Sequence, residues 1–182
     1  GHGYPFWIPE PDAHLPSEQR SEGLRLGDLG ILTNDGGFDY LWNIHLPGNH
    51  PHNTLVPPNF KPVVLDTIRD VRRTDLFFPR NTAINSTFVK KREISIEAEL
   101  AVVGGVVGGG VGFEFTAEGN SGAVLTLPRG GVRFNSLKLN LYLRHATENA
   151  ESWYRHINQV LQRGIQSGAL YLVTGTDKCS SW

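Results

Sequence analysis

A single cysteine, Cys179, stands in a chain of 182 residues, and methionine is absent. One thiol permits no internal disulfide, so the chain does not read as a stapled secreted domain. Net charge is nearly absent: 17 Lys and Arg against 18 Asp and Glu leave a formal charge of -1. That balance excludes the strongly basic surface of a nucleic-acid binder and a highly charged disordered tail. No run stays apolar for the roughly 20 residues that a membrane-crossing helix needs. No basic-then-apolar leader opens the chain, and no internal repeat or low-complexity linker divides it. A cytoplasmic protein is the expectation. The opening Gly-His-Gly reads as a processed end, and the abrupt stop on Trp182 suggests a longer parent. The sequon Asn85-Ser86-Thr87 is short enough to arise by chance.

Glycine and proline are plentiful, at 21 and 11, without the three-residue period of collagen. Apolar content of 39%, with nine Phe, five Tyr and four Trp, supplies a sizeable core. The chain is therefore expected to form one domain, 1–182. Residues 1–22 carry Pro5, Pro9, Pro11 and Pro16 among Tyr4, Phe6, Trp7 and Ile8. They read as an irregular strap laid across the core, because proline breaks regular ladders while aromatic mass seeks burial.

Hydrophobic period suggests the elements. Leu29 to Thr33, the turn Asn34-Asp35-Gly36-Gly37, and Phe38 to Ile44 make a hairpin whose second strand alternates. Residues 46–62, with five prolines, read as a loop. Thr67 to Arg73 fits either a short helix or a strand edge. Ile94, Ile96, Ala98 and Leu100 alternate with Ser95, Glu97 and Glu99. Val111 to Ala117 and Ala123 to Leu127 follow, giving a three-stranded meander over 94–127. A helix is expected over about 147–163, capped by Thr147 and ended by Gly164. Its apolar stripe is Ala150, Trp153, Tyr154, Ile157, Val160 and Leu161. Ala169 to Val173 reads as a last strand. The fold class is α+β, a mostly antiparallel sheet with one main amphipathic helix packed on it.

The run from Leu100 to Gly112 holds six glycines and no polar side chain. A phosphate loop would end in Lys followed by Ser or Thr, and this run ends Val111-Gly112-Phe113. With strand patterns on both sides it is a strand-to-strand connection. It is either a rigid packing surface or a conformational pivot at Gly104, Gly105, Gly108, Gly109 and Gly110.

Other polar groups form partial patterns. His45, His50 and His52 are three imidazoles in one loop, but no Cys, Asp or Glu of that loop completes a metal set. Cys179 lies beside Lys178, which favours a thiolate, with His145 or His156 as a distant base. Asp28, Asp35, Asp39 and Glu10 near aromatic residues resemble the content of a sugar site; Asp39 also suits the solvent face of a strand. Lys90-Lys91-Arg92 and Arg69, Arg72 and Arg73 are basic clusters. Each suits a solvated face or an anionic surface, where each charge is worth about 1 kcal/mol. No nucleophile, base and orienting group come together, so no catalytic residue, metal or cofactor is assigned. Trp7, Tyr40 and Trp42 are the candidate pocket of a binding protein.

Two resemblances rest on motifs. Gly3-Tyr4-Pro5-Phe6-Trp7-Ile8-Pro9-Glu10-Pro11-Asp12, Leu15-Pro16, Leu26-Gly27-Asp28-Leu29-Gly30, Asp35-Gly36-Gly37-Phe38-Asp39 and Asn43-Ile44 resemble a family from mushroom-forming (basidiomycete) fungi. Trp153 and Leu170-Tyr171-Leu172-Val173-Thr174-Gly175-Thr176-Asp177-Lys178-Cys179-Ser180-Ser181-Trp182 are similar to its second half. That likeness implies a fungal source and no particular activity. Leu26-Gly27-Asp28-Leu29, the late helix and Ala169-Leu170-Tyr171-Leu172-Val173-Thr174 are loosely similar to the gasdermin pore-forming domain. This second likeness implies a twisted sheet and release by proteolysis. It also implies binding of acidic membrane lipid through Lys90, Lys91 and Arg92, and self-association. The expected function is thus a membrane-binding or pore-forming defence domain that becomes membrane-associated on activation, without nucleic acid. The alternative is a non-enzymatic ligand-binding or regulatory module of a larger fungal protein.

Overall fold

A computed structural model describes residues 15, 17–34, 36–85, 89–94, 112–117 and 124–182. The protein is α+β, built from small antiparallel sheets and one main helix. The chain forms two compact units, Gly1–Asp75 with Val132–Lys178, and Leu76–Gly131 with Cys179–Trp182.

In the first unit a short helix α1, Ser17–Glu22, occupies the end of the expected strap. Strand β1 (Asp28–Leu32) pairs with β2 (Phe38–Asn43) as an antiparallel hairpin. Its turn is closed by Gly36 N–H and Gly37 N–H, which donate to the carbonyl and hydroxyl of Thr33 at 3.0 and 2.9 Å. Gly36 has φ +85°, a conformation that glycine adopts without strain.

The hairpin departs from simple alternation. Leu29 faces Trp42 and Gly30 faces Tyr40, so Leu41 is an extra, bulged residue. Leu41 and Trp42 are therefore both buried, although they are neighbours in sequence. Gly30 permits the close approach, because a Cβ there would stand 2.5 Å from the Phe38 ring and the Asp39 carbonyl.

In chain order, β3 is Val71–Phe78, β4 Thr82–Asn85, β5 Val89–Ile94, β6 Gly112–Ala117, β7 Val124–Leu127 and β8 Gly131–Ser136. Helix α2 then spans Leu139–Arg155 and continues as a π-helical turn, His156–Val160. β9 is Leu170–Leu172 and β10 Gly175–Cys179. The first unit's sheets have the orders β2-β1-β9 and β10-β8-β3, the second lying mainly in that unit.

The helix begins eight residues before the expected start at Thr147. Its entry lies at Lys138, whose N–H donates to Ser136 Oγ at 3.1 Å. Thr147 is internal and returns its hydroxyl to the Leu143 carbonyl at 2.8 Å. The apolar stripe starts at Tyr142 and runs through Trp153 to Ile157, all at most 2% exposed. These three pack with Leu29, Leu41, Trp42 and Ile44 to form the core.

The loop after β2 is irregular yet pinned. Leu55, Val56, Phe60 and Val63 pack on the core, and Val63 N–H donates to the Ile44 carbonyl at 2.7 Å.

The second unit corrects the expected meander. β7 pairs with β4, and β5 pairs with β6, both antiparallel. The β5–β6 pair thus nests in sequence inside the β4–β7 pair, as a separate two-stranded sheet. Local alternation marks strands but not partners, which is why three consecutive strands read as a meander. Residues 95–111, including Gly104, Gly105, Gly108, Gly109 and Gly110, lie outside the described residues.

Candidate functional site

Two groups of polar side chains border the core of the first unit, and they differ in how they are satisfied. The first, behind the hairpin, is closed through Asn43, Asn53 and His45 and ends on Arg25, whose Nε and Nη2 have no hydrogen-bond partner among the described residues. Asn53 Oδ1 accepts from Asn43 N–H at 2.8 Å, and Asn53 Nδ2 donates to the carbonyls of Asn43, Leu46 and Pro47 at 3.0, 2.9 and 3.2 Å. Asn43 in turn donates from Nδ2 to Asp28 Oδ1 at 2.6 Å and to the Leu26 carbonyl at 2.9 Å, while its Oδ1 accepts from His45 N–H at 2.8 Å. Asp28 Oδ2 accepts from Arg25 N–H at 2.7 Å. Burial raises the Asp28 pKa to about 6, against the opposing pull of Asn43 and Arg25.

His45 continues this network. Its Nδ1 lies 2.8 Å from the Val63 carbonyl and its Nε2 lies 2.8 Å from the Tyr142 hydroxyl. A carbonyl only accepts, so Nδ1 carries the proton and Tyr142 donates to Nε2. Burial lowers the His45 pKa and raises that of Tyr142, which also bonds Ser136. Both sides of this imidazole are therefore engaged in holding the loop to the helix.

The second group is open. Trp42, Trp153, His145 and His156 form a cluster of edge-on rings, with Trp42 6.1 Å from Trp153 and 6.3 Å from His156, and His145 5.4 Å from Trp153. His156 Nε2 donates to the Leu55 carbonyl at 3.1 Å, which leaves Nδ1 a lone-pair acceptor. Asn149 Nδ2 approaches His145 Nδ1 at 3.3 Å, which leaves Nε2–H a donor. Among the described residues, Trp42 Nε1, His145 Nε2 and His156 Nδ1 are buried without a hydrogen-bond partner. Each such group costs about 1–3 kcal/mol when left unmade. Burial also lowers the His145 pKa, with Glu148 opposing and His45 reinforcing the shift.

A cleft of about 290 Å³ opens onto this cluster. One wall is Pro57 to Lys61. The other is the α2 face of His145, Glu148, Asn149 and Ser152, with Trp153 beside them. The spacing i, i+3, i+4, i+7 places these polar groups on one helix face. A larger groove of about 400 Å³ lies at the start of α2, beside Val64, Leu141 and Arg144. There Lys138 Nζ is paired with Asp70 at 3.5 Å, and none of its lining side chains carries a buried unpartnered nitrogen.

The residues expected at a site disperse. Trp7 lies outside the described residues. Tyr40 is half-buried, its hydroxyl 3.4 Å from Asn53 Oδ1. Trp42 is a core side chain, fully buried. Lys90, Lys91 and Arg92 lie on β5, in register with Thr116, Phe115 and Glu114.

The other candidates are equally scattered. The His50 and His52 rings meet edge-on with centroids 4.8 Å apart, and His52 Nδ1 lies 2.8 Å from Arg25 Nη1. Among the described residues no group of three or more His, Cys, Asp or Glu is placed to hold a metal ion. Asp39 pairs with Arg163 at 3.1 Å. Cys179 is a free thiol, half-buried on β10.

The cleft itself was missed by sequence reasoning. Its signal, a polar stripe at helical spacing through His145, Glu148, Asn149 and Ser152, was hidden when the helix was started at Thr147. No family model, curated protein or solved structure matches this chain.

Proposed function

We propose that the chain is a non-enzymatic ligand-binding module whose site is the cleft over Trp153. The observation that carries this reading is the cleft's pair of unlike walls, the polar α2 face of His145, Glu148, Asn149 and Ser152 opposite Pro57, Pro58 and Phe60. The nearby hydroxyl argues for binding over catalysis. Ser152 Oγ–H is directed to the Asn149 carbonyl at 2.8 Å, so its proton is not shared with His145 as a nucleophile's would be. A cytoplasmic setting accords with the free thiol of Cys179, and no helix among the described residues is long and apolar enough to cross a membrane.

Thermal denaturation in the presence of a small-molecule panel tests the reading. Bound ligand at about 100 times its Kd stabilises by about 2.7 kcal/mol. A rise in Tm for the native chain, absent in His145→Phe, is expected. No shift with any member, or equal shifts in both proteins, would defeat it.

A second reading is favoured by the paired strands of the second unit. The antiparallel β5–β6 pair, nested in sequence inside the β4–β7 pair, carries Lys90, Lys91 and Arg92 on β5. This accords with a gasdermin-like, membrane-binding or pore-forming defence domain of a fungal protein that self-associates on acidic lipid. Co-sedimentation with phosphatidylserine vesicles, lost in neutral vesicles and in the triple alanine variant of those residues, is its expected outcome. Failure to sediment with any vesicle sinks it.

A further inference from the structure

The ligand class follows from which hydrogen-bonding roles remain open at the cleft, an argument that rests on the reading of the cleft as a ligand site. Asn149 directs its amide N–H groups to the carbonyl and ring of His145, at 2.8 and 3.3 Å. Its contribution to the cleft is therefore its Oδ1 acceptor. Ser152 donates its hydroxyl hydrogen to the Asn149 carbonyl, so it too contributes lone pairs. Glu148, one turn before Ser152, adds a carboxylate. Across the cleft from these three acceptors stands the Lys61 ammonium, a donor.

The opposite wall is of another kind. Pro57, Pro58 and Phe60 present ring and methylene surface, with Asn59 and Lys61 as the polar members of that wall. It is also preformed. Phe60 packs on the core and its N–H donates to the Pro57 carbonyl at 3.2 Å. A preformed apolar wall facing a polar one suits a flat molecule that is apolar on one side and hydrogen-bonding along its edge.

A carboxylate or phosphate ligand would meet the Glu148 carboxylate and two further acceptors, and an ammonium ligand would meet Lys61, so the paired opposite charges favour a neutral ligand. A hydroxyl both donates and accepts, so neighbouring hydroxyls on one ring satisfy Glu148, Asn149 and Ser152 while one oxygen accepts from Lys61. We propose that the cleft between the Pro57–Lys61 loop and α2 binds a neutral saccharide or similar polyol. The C–H face of the ring lies on Phe60 and the two prolines, and its hydroxyl edge lies on the helix.

Nitrogen-15 NMR of the native chain tests this, with the indole N–H signal of Trp153 as the local reporter. The probes are glucose, N-acetylglucosamine, cellobiose, acetate, phosphate, tetramethylammonium and leucine. Saturable shifts with at least one saccharide, and none with the ions, are expected. Glu148 is an exposed residue, so Glu148→Gln should fold normally and weaken that saccharide about tenfold. Ser152→Ala should weaken it several-fold. Shifts at Trp153 with leucine, acetate or phosphate but no saccharide would overturn the ligand class and leave the cleft as a binding site. No shift with any probe would overturn both. Saccharide shifts insensitive to Glu148→Gln and Ser152→Ala would place the sugar elsewhere and also overturn the proposal.

Discussion

The two polar groups bordering the core use similar residue types to opposite ends. Behind the hairpin, Asn43 and Asn53 make bonds that end on the chain itself, and His45 has both ring nitrogens engaged. Around Trp153, three ring nitrogens end on nothing within the described residues. A closed network of this kind fixes a scaffold, because removing any member strands its partners. An open one is held at a cost in stability, and such costs concentrate at binding sites.

Substitutions can break that contrast. The largest effect is expected at Asn53, whose replacement by Ala removes the acceptor of Asn43 N–H and the donor to the carbonyls of Asn43, Leu46 and Pro47. Of these carbonyls only that of Pro47 is shown with another donor, His50 N–H. Urea denaturation should show a loss of about 3 kcal/mol or more. An effect under about 1 kcal/mol would mean the network is not closed. Gly27→Ala comes next, at about 2 kcal/mol. Gly27 has φ +83°, and a Cβ there would collide with the His45 ring. The same titration, with His45 mobility followed by NMR, checks it.

The open cluster should respond with the reverse sign. His145→Phe removes a buried unpartnered donor and keeps a ring against Trp153. It should stabilise the chain by about 1 kcal/mol while abolishing ligand binding. Destabilisation would mean that His145 serves the fold.

The smallest effect is one of pH. Burial lowers the pKa of His45 and His145 below the ordinary 6.5. The unfolded chain then takes up protons first as pH falls. Their contribution to stability is full above about pH 6.5 and declines below it. The gain of His145→Phe over the native chain should therefore widen as pH drops through that value, and urea midpoints at pH 8 and pH 5.5 measure it.

Much of the scaffold was legible because its signals are local. The turn at Asn34 to Gly37, the strand at Leu170 to Leu172 and the late amphipathic helix each announce themselves within a few residues, although the helix closes at Leu161 and the left-handed Gln162 (φ +56°) rather than at Gly164. The bulge at Leu41 was not, since Phe38, Tyr40, Trp42 and Ile44 alternate perfectly on paper. Nor was the helix start: Thr147 followed by Glu148 imitates a capped terminus inside a helix. The strand β8 escaped notice, although Val132 and Phe134 alternate with Arg133 and Asn135. The site was legible least of all. Whether a histidine nitrogen is bonded depends on a carbonyl distant in sequence, as Leu55 is from His156, and no local pattern encodes that.

The most direct test of the central claim is the nitrogen-15 spectrum of the histidine rings, with and without the saccharide panel. The account predicts that His145 is neutral with its proton on Nε2, and that this nitrogen shifts on ligand binding while both nitrogens of His45 stay still. An Nε2 of His145 that lacks the proton, or that does not respond to any ligand that binds, would contradict it.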